Sequence, residues 1–216
     1  MKHILLLSTI LMALILPGAG LAAVPEPGAR LDAIITQYVA AKQFMGAVLV
    51  EQDGKILLDK AYGYANLEWG IPGTPDTKFR IGSITKQFTA AAILLLEERG
   101  KLRIDDPVKT HLPEAPASWD KVTIRHLLSH TSGIPDYTIL PDFRATQGSR
   151  TKLENLVGRF RDLPLDFPAG TGWRYSYSGY VLLGWFIQRV SGQSYAAFLD
   201  EYFFDPFLME YNGLVF

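Results

Sequence analysis

Leu31, Ile34, Ile35, Tyr38 and Val39 fall at i, i+3, i+4, i+7 and i+8, the spacing of one apolar helix face, and predict a first helix. The period then changes. Residues 46–52 and 55–62 are short runs rich in Val, Leu and Ile, separated by Asp53-Gly54, a dipeptide suited to the positive φ angles of a tight turn. They predict a β-hairpin. From 83 to 99, Ile84, Phe88, Ala91, Ala92, Leu95 and Leu96 mark one face, and Ala90, Ile93 and Leu94 carry the apolar surface most of the way round. This predicts a buried helix opened by Ser83, with Gly100 at its left-handed C-terminal stop. Asp105-Asp106-Pro107 and residues 113–116 read as loops, and the stretches 123–130, 153–161, 180–190 and 195–203 as further helices.

One hairpin among five or six helices leaves the sheet unfinished, because two strands alone are marginal in water. Either helices cover both edges, or the strands that complete the sheet lie outside these residues. The expected class is α/β in the α+β sense: a helical subdomain plus an incomplete antiparallel sheet.

Composition narrows the function. The chain has 216 residues, 48% hydrophobic and 20% charged, a globular profile. Its 21 basic and 22 acidic residues give a net charge of −1 without a basic block, which argues against a nucleic-acid partner. With no cysteine, disulfides, thiolate metal sites and a cysteine nucleophile are excluded. Lys2 and His3 precede an apolar run over 4–16 and then Pro17-Gly18-Ala19-Gly20-Leu21-Ala22-Ala23, the layout of a bacterial-type signal peptide. The run is shorter than the ~20 residues of a spanning helix. The expected organisation is a signal peptide over 1–22 and one partial domain over 23–216. The mature protein is expected to be exported, periplasmic or extracellular, with no membrane attachment.

Ser-x-x-Lys sets a hydroxyl and an ammonium one helical turn apart, so the lysine can help deprotonate the serine. Three copies occur, starting at Ser83, Ser118 and Ser149. Ser118 follows Pro116-Ala117 in a loop, and Ser149 sits in a polar stretch where capping the next helix is the simpler reading. Ser83 differs. It follows Gly82 at the start of the most apolar helix, where unsatisfied N–H groups favour a developing anion; its plain structural role would be an N-cap.

Phe79-Arg80-Ile81-Gly82-Ser83-Ile84-Thr85-Lys86-Gln87-Phe88-Thr89-Ala90 resembles the first active-site motif of the serine β-lactamase and penicillin-binding-protein-like hydrolases, in the class C β-lactamase, D-alanyl-D-alanine carboxypeptidase and esterase branch. Ile124-Arg125-His126-Leu127-Leu128-Ser129-His130-Thr131-Ser132-Gly133-Ile134-Pro135 and the stretch from Pro168 through Tyr175-Ser176-Tyr177-Ser178-Gly179-Tyr180 to Gly184 resemble the same branch. The resemblance implies a β-lactamase/transpeptidase-like fold, Ser83 as nucleophile and Lys86 as its proton-transfer partner. It also implies Tyr175 as the tyrosine of a Tyr-x-Asn motif that exchanges protons with serine and leaving group. Tyr177 stands at the asparagine's place as a substrate-binding residue. Tyrosine there is a departure, since it offers one hydroxyl instead of an amide donor and acceptor. A literal Tyr64-Ala65-Asn66 precedes Ser83 and reads as a decoy.

The family's third motif, Lys/His-Thr/Ser-Gly or a relative, does not occur in the sequence, so the chain resembles an N-terminal portion. The resemblance implies an acyl-enzyme hydrolase acting on a small-molecule or peptidoglycan-derived amide or ester, without cofactor or metal. The contrasting reading is a catalytically incompetent fragment or pseudoenzyme that at most binds such ligands. His126 and His130 share i, i+4 spacing, but no third ligand is evident and a hydrogen-bonded structural role is expected of both. Trp173, Tyr175, Tyr177 and Tyr180 form an aromatic set suited to lining a cleft or filling core.

Overall fold

The computed structural model describes residues 26–147 and 151–209. The expected signal peptide and Ser149 lie outside the described residues. The chain divides into two compact units, one up to Thr77 and one from Lys78 onward.

In the first unit, helix α1 (Pro27–Ala40) starts on a proline, whose fixed φ suits a first turn, and packs on strand β2. Strands β1 (Gly46–Gln52) and β2 (Lys55–Tyr62) pair antiparallel, Gln52 opposite Lys55. Asp53 (φ 52°) and Gly54 (φ 75°) turn the chain in the left-handed region, as the dipeptide predicted. Lys60 Nζ and the Tyr62 hydroxyl both donate to Asp32, at 2.8 and 2.7 Å, tying strand to helix. A second small ribbon, β3 (Tyr64–Asn66) with β4 (Ile71–Pro72), corrects the reading of a single hairpin. These strands are too short for an alternation to register in sequence. Asn66 of the decoy motif uses its side-chain oxygen to accept from Trp69 N–H at 2.8 Å, closing that ribbon's turn.

The second unit holds the core. Its elements are α2 (Thr85–Glu98), α3 (Val108–His111), α4 (Ile124–Leu128), α5 (Phe143–Thr146), α6 (Leu153–Gly158), α7 (Tyr177–Ser191) and α8 (Tyr195–Leu199). Helix α7 is the hub, packed by α2, α3, α4, α6 and α8. It buries Leu182, Leu183, Trp185, Phe186 and Ile187, which meet Ala92, Ile93 and Leu96 of α2 in one cluster with Trp119 and Phe160. Each such side chain contributes about 1.5–3 kcal/mol of transfer free energy on burial, so α7 is fixed by its neighbours rather than by its own propensity.

Several boundaries differ from expectation. Ser83 does not open α2: it lies in a single 3₁₀ turn, Gly82–Ile84, because Gly82 takes φ 53° and Ile84 N–H donates to Ile81 O. Neither Ser83 nor Ile84 makes a side-chain cap, so the N-cap role is also absent. The other end of α2 behaves as read, with Gly100 (φ 66°) donating to Glu97 O and Lys101 to Leu96 O. Helix α7 starts three residues before 180, since Ser176 Oγ caps Gly179 N–H and makes the Ser-Tyr-Ser-Gly stretch helical. The 123–130 helix stops at Leu128, and the 195–203 helix widens into a π turn over Asp200–Phe204. Ser118 sits in a 3₁₀ turn, Ala117–Trp119, and not in an open loop.

Candidate active site

The turn that displaces Ser83 from α2 leaves its side chain exposed, with Lys86 one turn further on. Lys86 Nζ donates to Ser83 Oγ at 3.3 Å. Tyr175, 92 residues away in sequence, donates its hydroxyl to the same oxygen at 2.6 Å. The three residues singled out by motif therefore converge on one atom.

Tyr175 occupies a segment without regular secondary structure, so its placement needs a cause. His130 supplies it. The backbone O of His130 accepts from Arg174 N–H at 3.0 Å, and its Nδ1 accepts from Ser176 N–H at 3.2 Å, so one residue grips the chain on both sides of Tyr175. Its ring lies against Tyr175 (centroids 4.5 Å apart, 32° between planes) and Tyr180 (5.1 Å, 33°). A left-handed backbone at His130 (φ 60°) aims the ring there. The next residues hold the start of α7: Ser178 donates to Pro135 O at 2.7 Å and accepts from Tyr137 N–H, and buried Asp136 accepts from Thr138 and Tyr177 N–H. Sequence reasoning placed His130 in a structural role but missed this clamp, and it missed Asp136 altogether; no local periodicity marks either.

The electrostatics follow from the contacts. Burial pushes the Tyr175 phenol up, but hydrogen bonds with Lys86 and Ser83 and the Lys86 charge outweigh it, and its pKa is lowered. Burial, aided by the Lys86 charge, lowers the His130 pKa against the attraction of Asp136. Burial raises that of Tyr180, whose hydroxyl donates to Leu128 O at 3.1 Å. The Lys86 ammonium is surrounded by the rings of Tyr175, Tyr177 and Tyr180, all within 5.3 Å of their centroids.

The aromatic set divides. Tyr180 packs inward, Trp173 is 67% exposed, and Tyr177 and Tyr180 line an open cleft of about 1330 Å³ beside Lys86, with Thr85, Tyr137 and Phe143. His126 and His130 do not act as a pair. His126 Nδ1 accepts from Thr123 N–H inside a capping box, while His130 has left the helix. Among the described residues no group of three or more His, Cys, Asp or Glu side chains could hold a metal ion.

Comparison with known proteins places the chain among relatives. The chain is 37% identical over 202 residues to esterase EstB of Burkholderia gladioli, an alignment covering 87% of this chain and 51% of that protein. It is 41% identical over 168 residues to penicillin-binding protein 4* of Bacillus subtilis, covering 76% and 36%. The crystal structure of FmtA from Staphylococcus aureus superposes with a TM-score of 0.72 at 30% identity, covering 82% of this chain and 49% of that one. The chain thus spans about half the length, or less, of the relatives it matches. The Beta-lactamase family model matches residues 31–213, and with the mixed helix-and-strand architecture shared with these structures it shows that the chain belongs to the β-lactamase family.

Proposed function

We propose that the protein is an exported serine hydrolase that forms an acyl intermediate on Ser83. The observation that carries this reading is the approach of both Lys86 Nζ and the Tyr175 hydroxyl to Ser83 Oγ. Ser83 Oγ adds to the acyl carbon, and its proton passes to the Tyr175 oxygen once that phenol has ionised, a step favoured by its lowered pKa. The same proton then goes to the departing alcohol or amine. Water adds to the acyl ester and its proton returns by the same route, releasing acid and free Ser83. Lys86 stabilises the negative charge that moves between the two oxygens.

The substrate is a small-molecule or peptidoglycan-derived ester or amide, with esters favoured. Tyr177 offers the cleft no amide donor and acceptor, which disfavours a substrate held through an acylamino group. Export rests on the signal-peptide pattern over 1–23; among the described residues no helix is long and apolar enough to cross a membrane. Intact-mass measurement of the purified secreted chain would check cleavage after Ala22 or Ala23.

The deciding experiment is intact-mass spectrometry after exposure to a fluorophosphonate and, separately, to a fluorescent penicillin. One adduct per chain, absent in Ser83→Ala, is the expected result. A folded chain that gives no adduct with either reagent overturns the hydrolase reading in favour of ligand binding without turnover.

A further inference from the structure

Tyr177 has no part in the proton transfers above, and it stands where the resembled family has an asparagine. Its ring is nonetheless placed with care. Lys86 Nζ lies 4.3 Å from the Tyr177 centroid, nearer than to Tyr175 at 4.8 Å or Tyr180 at 5.3 Å. The Tyr175 and Tyr177 rings meet edge to face, centroids 5.4 Å apart at 84°, so the ammonium sits in the corner they make. The backbone beneath is anchored from two sides: buried Asp136 accepts Tyr177 N–H at 3.3 Å, and Ser176 caps the first turn of α7.

The face of an aromatic ring carries negative potential and attracts a cation within about 6 Å, more strongly as water is excluded. This attraction needs the ring and not the hydroxyl. It can therefore restrain the ammonium of a flexible four-carbon side chain without any directed hydrogen bond. On its open side, the same ammonium donates to Ser83 Oγ.

We propose that Tyr177 is a positioning residue whose ring face holds the Lys86 ammonium against Ser83 and Tyr175. The catalytic consequence rests on the Ser83 acylation reading; the contact itself does not. Tyr177 also lines the cleft, where it remains 41% exposed.

The test uses the full chain with its lysines reductively ¹³C-dimethylated, which keeps their charge. Ring currents from three tyrosines should move the Lys86 N-methyl resonance away from those of the other lysines, and its loss in Lys86→Arg assigns it. Tyr177→Phe should keep the displaced resonance. Tyr177→Leu should return it toward the rest, with thermal unfolding confirming a folded chain. On unmodified protein, Tyr177→Leu should slow fluorophosphonate acylation of Ser83 by about 5- to 30-fold, the rate equivalent of a partly desolvated cation–π contact. Tyr177→Phe should restore all but about twofold.

An unmoved Lys86 resonance in Tyr177→Leu, or a phenylalanine variant as slow as the leucine one, overturns the inference. A resonance that follows the ring in a chain whose Ser83 never acylates overturns the hydrolase reading and leaves the positioning contact standing.

Discussion

Tyr62 and Tyr175 are the same side chain placed in two different units, and their surroundings push them in opposite directions. In the first unit, burial and the neighbouring Asp32 carboxylate raise the Tyr62 pKa to about 12. In the second, the Lys86 contact draws that of Tyr175 down despite burial. The packing differs as well. Tyr62 is the one buried hydrophobic residue among the described residues of the first unit, where Ile34, Tyr38, Leu49 and Ile56 are exposed. The second unit has a continuous buried cluster, and the Ser83–Lys86–Tyr175 convergence stands on it. A local pattern is thus enough to set a helix or a hairpin, whereas a site assembled from residues 92 apart needs a scaffold constrained from many sides.

The largest effects should come from breaking that scaffold. Phe186 is fully buried in α7, and Phe186→Ala is expected to cost about 3–5 kcal/mol in urea unfolding of the second unit. Leu49→Ala in β1, at a side chain 64% exposed, should stay within about 0.5 kcal/mol. Equal costs would break the contrast between the units. Gly133→Ala comes next. Gly133 has φ 73°, and an added Cβ would lie 1.9 Å from Phe167 O, with backbone rather than a flexible side chain in the way. Strain of this kind costs about 1–3 kcal/mol before the clash is relieved. Relief would shift the loop that follows His130, so Ser83 labelling should fall along with stability.

His130 sharpens the comparison through pH. A folded pKa below the ordinary 6.5 means that the unfolded chain binds the extra proton more readily. The stability tied to neutral His130 is therefore complete above pH 6.5 and is lost as the pH falls below it. Burial against the rings of Tyr175 and Tyr180 sets this first, the Lys86 charge adds to it, and Asp136 opposes it. Protonation would also put a hydrogen on Nδ1, where Ser176 N–H now donates. Melting temperatures from pH 7 to 5 should drop in the native chain and flatten in His130→Gln, which should also lose roughly tenfold in Ser83 labelling as Tyr175 loses its clamp.

The sequence legibility of these parts follows their physical range. The hairpin was readable because Asp53-Gly54 and the flanking runs of Val, Leu and Ile are local signals, and the end of α2 because Gly100 is its own stop sign. Ser83 and Lys86 were singled out among three copies of the spacing by the apolar helix that follows and by a resemblance, and Tyr175 by the resemblance alone. The 3₁₀ turn under Ser83 was not, because Gly82 is compatible with several turns and only the fold selects φ 53°. The grip of His130 on residues 174 and 176, and of Asp136 on Tyr177, joins chain positions more than 40 apart. In sequence His130 shows its spacing to His126 and its place in the resembled stretch 124–135, from which a structural role was read but not the grip it exerts beyond the end of α4 at Leu128.

The smallest effect is spectroscopic and compares the two tyrosines directly. Absorbance at the phenolate band, followed during alkaline titration, should show Tyr175 ionising below the ordinary value of 10 and Tyr62 at about 12. Tyr175→Phe should remove the early step and Tyr62→Phe the late one. Lys86→Met should move Tyr175 upward, and Asp32→Asn should bring Tyr62 down, because each removes the charge that shifted its partner. The stability consequences have opposite signs. The contribution of Tyr62 is complete below pH 10 and is lost as the pH rises through about 12, since the folded state holds the proton longer. That of Tyr175 is gained as the pH rises toward 10, since the folded state gives its proton up sooner. If both tyrosines titrated together near 10, neither the Asp32 anchor nor the Lys86 contact would be setting the charge state of its unit.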